Sequence, residues 1–133
     1  MSYEQRITIA KFCGWKDIEE YHYHDADGID GFPPNFVDVE GFGKKFFRKE
    51  IPDYFYDLNA INEAILKLPE GNMASSNPAH YPHWMFWTHL CKILGIRLFN
   101  NGTFVGSPDD LFKLTTATAT QRAEALLQTI KTI

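Results

Sequence analysis

Cysteine is scarce in this chain, with two among 133 residues, Cys13 and Cys91. Each lies in an apolar run, which suits a buried free thiol; nothing in the sequence supports a bond between them. A disulfide framework is therefore excluded as the main source of stability. Long apolar runs are also missing. None approaches the ~20 residues needed to span a bilayer, which argues against a membrane protein. The opening Met1-Ser2-Tyr3-Glu4-Gln5-Arg6 has no apolar export region, so a cytoplasmic location is expected. Positive charge is in deficit: 13 Lys and Arg stand against 17 Asp and Glu, a net charge of −4. That balance lacks the electrostatic footprint of a general nucleic-acid binder. A local basic run, Lys44, Lys45, Arg48 and Lys49, reads as a solvated strand or loop face. Phosphate-cradling glycine loops are absent too, because Gly41-Phe42-Gly43-Lys44-Lys45 has the wrong spacing. Neither cysteine has an obvious base in sequence, and Ser107-Pro108-Asp109 reads as a turn. There is no internal repeat and no low-complexity tract.

Aromatic residues are what the chain has in quantity. Eleven Phe, six Tyr and three Trp make up 15% of it, within a hydrophobic total of 44%. Such a composition argues for a packed globule and against disorder. The length suits one domain, residues 1–133, around a single core.

The clearest helix is the central one, over residues 57–68. Leu58, Ile61, Ile65 and Leu68 recur at helical spacing, while Asn59, Asn62, Glu63 and Lys67 take the polar face. Asp57, or Asp53 a turn earlier, can cap its start, and Pro69 with Gly71 stops it. A first helix is expected over Tyr3–Cys13, ended by Gly14. A strand follows over Ile18–His24. Asp25–Asn35 holds three Asp, two Gly and two Pro, and that density of turn formers reads as a loop. Phe36, Val37 and Val39 suggest a short strand. Lys44–Ile51 suggests a further strand or an irregular lead into the central helix. Gly71–Tyr81 is polar and turn-rich, a loop able to act as a lid.

Pro82–Leu94 reads as a helix buried on more than one side, with Pro82 in its first turn and Gly95 at its end. A strand over Trp84–Trp87 is the competing reading. Ile96–Phe99 and Thr103–Val105 flank Asn100-Asn101-Gly102 as a hairpin. Leu111–Thr116 reads as a last strand. Thr118–Ile130 is the second clear helix, with Thr118 and Gln121 at capping-box spacing. Helices at both ends and in the middle, with short strands between, predict an α+β fold. The expected form is a two- or three-layer sandwich. Its largely antiparallel sheet would be packed by helices near residues 3–13, 57–68 and 118–130.

Two of these helices carry a resemblance. One part is Pro52-Asp53-Tyr54 followed by Asp57-Leu58-Asn59-Ala60-Ile61-Asn62-Glu63-Ala64. The other is Ala117-Thr118-Ala119-Thr120-Gln121-Arg122-Ala123-Glu124-Ala125-Leu126-Leu127. With a first helix ending in Gly14-Trp15, the pattern resembles small phage and prophage proteins of the group described as the phage α/β/α (ABA) sandwich domain. The resemblance implies a sandwich fold and an accessory gene of a mobile element, with host-cell cytoplasm as the setting. It implies no particular reaction. Its residues belong to core and caps, so it transfers no functional site.

Two runs are chemically suggestive. In His22-Tyr23-His24-Asp25-Ala26-Asp27, alternate histidines on a strand point the same way, as two imidazole ligands of one metal would. Its alternation matches the His-x-His-x-Asp-His of metallo-β-lactamase-fold hydrolases, but the aspartates are one position out and no His follows. The calcium-loop pattern fails as well, since position twelve is Phe36. A divalent metal held by His22, His24 and Asp25 or Asp27, with His80 or His83 as a further ligand, is the one cofactor this run could take. The plainer reading is a turn with exposed histidines.

The second run is His80-Tyr81-Pro82-His83-Trp84-Met85-Phe86-Trp87-Thr88-His89. Indoles beside imidazoles can clamp a planar ligand, with His80, His83, Trp84 and Trp87 as the binding residues. The plainer reading is a core helix with a wet end. Together the sequence predicts a binder rather than an enzyme. Its expected partner is a host protein or a small nucleotide-like ligand; the counter-defence setting is what the resemblance alone implies. A metal-dependent hydrolase and a self-associating homo-oligomer are the rival classes.

Overall fold

The computed structural model describes residues 2–23, 26–35, 48–71, 81–97 and 107–133. Among them are five helices and a three-stranded antiparallel sheet, an α+β fold. The chain divides into two compact units, residues 1–53 and 54–133.

The first unit opens with α1 (Tyr3–Phe12), capped by the Ser2 hydroxyl. It ends where Gly14 takes a left-handed φ of +98°, a conformation that costs glycine little. The buried Arg6 donates to the carbonyls of Ile51 and Pro52, so a charged side chain inside this unit has backbone partners. β1 (Lys16–Tyr23), β2 (Ala26–Phe32) and β3 (Lys49–Glu50) follow in spatial order β1-β2-β3. In the β1–β2 register Tyr21 faces Gly28 and His22 faces Asp27. A side chain at position 28 would collide with the Tyr21 ring, which lies across it on its way to a 2.9 Å bond with the Glu50 carboxylate.

The second unit contains α2 (Leu58–Ile65), α3 (Pro82–Leu94), α4 (Pro108–Thr115) and α5 (Ala119–Thr132). Asp57 caps α2 through the Ala60 amide, and Thr118 caps α5 in a complete capping box with Gln121. α3 lies along α5, and α2 and α4 also pack in this unit. The buried set includes Ile61, Ala64, Leu68, Met85, Phe86, Leu90, Ala123, Leu126 and Leu127. Arg122 ties the helices together. It donates to Asn62 at 3.1 Å and to the carbonyls of Ala117 and Leu114. The carboxylate of Asp57 is taken up by the cap of α2.

Three sequence expectations are corrected. The supposed loop over 25–35 holds β2, because pairing with β1 supplies what its turn-forming residues lack. The supposed strand over 111–116 belongs to α4, whose Ser107 and Asp110 form a capping box where a turn was read. Ile96 and Arg97 are not in a strand. The expected strand over 36–39, most of the 71–81 loop and most of the hairpin over 96–105 lie outside the described residues. No described helix is long and apolar enough to cross a membrane.

Candidate functional site

α3 forms as the sequence demands. Pro82 occupies the first turn, where its missing N–H loses nothing. Gly95 ends the helix in a left-handed conformation, its N–H turned to the Lys92 carbonyl. One side of the helix buries Pro82, Met85, Phe86, Leu90 and Cys91. The indoles stay largely outside that core: Trp84 is 39% exposed and Trp87 48% exposed.

Those two indoles stand one helical turn apart and so share a face. Trp87 is braced by an edge-on contact with Phe86, ring centres 5.7 Å apart. The Thr88 hydroxyl folds back to the Trp84 carbonyl at 2.8 Å. His83 joins the start of α3 to the segment that follows α2, its Nε2 lying 3.1 Å from the Leu68 carbonyl. A carbonyl only accepts, so that nitrogen carries the hydrogen, and in the neutral ring Nδ1 is then an acceptor. His80 lies outside the described residues. Of the four residues expected to bind a planar ligand, three therefore sit on one helix, at 83, 84 and 87.

The His22–Asp27 run is arranged differently. The two residues are cross-strand partners, and Nδ1 of His22 is 2.8 Å from Oδ1 of Asp27. Both side chains are well exposed, and they satisfy each other. His24 and Asp25 lie outside the described residues. No group of three or more metal-ligating side chains occurs among the described residues.

Two further features escaped the sequence reading. Arg48, read there as part of a solvated basic patch, is only 19% exposed as a side chain. It forks onto Asp30 at 2.6 and 2.9 Å, reaches the Asp17 carbonyl at 2.7 Å and lies 5.1 Å over the Phe32 ring. Asp17 has a positive φ of 51° beside the irregularity in the β1–β2 register, so Arg48 anchors a strained turn of backbone. The other feature is α4, which buries none of its residues and leaves Leu111 54% and Phe112 67% exposed. Its amphipathic spacing was legible only once the Ser107 cap is taken as a helix start.

No family model, curated protein or solved structure matches this chain.

Proposed function

We propose that this protein works by binding, through the face of α3 that carries Trp84 and Trp87, and that its partner is a protein surface. One observation supports the reading most: two neighbouring indoles are left 39% and 48% exposed while Met85, Phe86, Leu90 and Cys91 of the same helix pack into a core. Exposing two large aromatic side chains on one face is costly in water unless a partner covers them. Tryptophan is enriched among the residues that dominate protein interfaces. A small planar ligand needs most of its own surface enclosed, which an open helical face supplies less well. His83 would add an acceptor at the rim of the patch. The setting of a phage or prophage accessory protein acting on a host component rests on the sequence resemblance.

The test compares wild type with Trp84→Ala/Trp87→Ala. Each protein is used as bait in a bacterial lysate, and a panel of nucleotides and cyclic nucleotides is screened by thermal shift. A protein retained by wild type and released by the folded double variant supports the reading. A nucleotide shift that disappears in the variant moves the partner to a small planar ligand. Equal retention by both baits refutes the location.

A further inference from the structure

His89 lies on α3 beside the buried Leu90 and one turn beyond Met85 and Phe86, in the helix that packs along α5. Its Nε2 is shut off from solvent and has no hydrogen-bond partner among the described residues. Buried polar atoms are nearly always paired, so an orphan of this kind marks a place where the protonation state matters. A neutral imidazole can leave an acceptor nitrogen idle. A protonated one must bring a charge and a second N–H donor into the same shielded position, where no acceptor waits.

The charged groups on the packed helices do not relieve this. α5 carries Arg122, Glu124 and Lys131, and α4 carries Asp109, Asp110 and Lys113. Arg122 is held by Asn62 and two carbonyls, and the field of Asp110 falls on Cys91. The charge felt by His89 is the Lys92 ammonium, on its own helix and of the wrong sign to help.

We propose that His89 makes the packing of α3 in the second unit acid-labile: the neutral ring is accommodated, and the protonated ring, half-buried with its Nε2 shut off from solvent, is expelled. Burial first, and Lys92 second, hold the His89 pKa below the ordinary histidine value. The sign follows from linkage. With the folded-state pKa depressed, the stability due to the neutral ring is complete above the unfolded value of about 6.5. It is lost as the pH falls from there toward the depressed folded value, because only the unfolded chain takes up the proton readily.

The experiment follows thermal unfolding of wild type and His89→Gln from pH 7.5 to pH 5. The wild type should lose midpoint temperature more steeply than the variant below about pH 6.5, with the gap closing at the alkaline end. Parallel profiles would overturn the proposal. Should His89→Gln fail to fold, the ring resonances of wild-type His89 decide the matter. A titration midpoint below the ordinary histidine value of about 6.5 supports the proposal, and one at or above it overturns it.

Discussion

At the scale of single residues, the polar contacts that hold the described structure come from side chains with several jobs at once. Arg48 binds Asp30 with two nitrogens, reaches the Asp17 carbonyl and covers Phe32. Truncating it would leave the Asp30 carboxylate, itself only 27% exposed, without its cation. Arg48→Ala should therefore cost about 2–3 kcal/mol in chemical denaturation, since bonds to charged groups contribute roughly 1.5–3 kcal/mol. Arg48→Lys should recover only part of that, because an ammonium cannot fork onto one carboxylate and reach a carbonyl in the same way. A denaturation midpoint unchanged in Arg48→Ala would show that the contact is idle. The sequence could not display this role. Arg48 stands in a basic run, and its partners at 17 and 30 are brought near only by strand pairing. His89 is a similar case: its neighbours in sequence, Thr88 and Leu90, give no sign of it, because a missing partner is a fact of three dimensions.

At the scale of elements, what was legible depended on whether local signals agreed. α2, α3 and α5 carry apolar spacing, a start signal and a stop signal that all point to helix, and each forms within a few residues of its expected bounds. β2 was hidden because Ala26–Phe32 contains two Asp and two Gly. Its strand character comes from β1, with Tyr21 lying over Gly28 where a larger residue would not fit. In α4 the run Leu111–Thr116 reads as a strand, and the cap at Ser107 is the better witness. The caps give a direct check. Thr118→Ala removes the acceptor for the Gln121 amide at the start of α5 and should cost about 1 kcal/mol. Thr118→Ser, which keeps the hydroxyl, should cost far less. Equal losses in the two variants would assign the effect to packing of the Thr118 methyl group instead of the cap.

At the scale of the whole molecule, the α+β class and the antiparallel sheet were readable from composition and periodicity. The exposure of Trp84 and Trp87 was not, because an aromatic stripe at helical spacing fits a core and a binding face equally well. The two possibilities differ in energy. A fully buried indole lost to alanine costs about 3–5 kcal/mol of stability. A half-exposed one should cost nearer 1 kcal/mol, in the ordinary range for single substitutions. As an interface anchor, however, it should be worth at least about 2 kcal/mol of affinity, roughly thirtyfold. The most direct measurement is therefore paired, on Trp84→Ala/Trp87→Ala: its unfolding free energy beside its affinity for whatever partner the wild-type bait retains. The account predicts a folded variant, within about 2 kcal/mol of wild type, that no longer holds the partner. A variant that binds as wild type does, or one that fails to fold because the indoles were core after all, would contradict it.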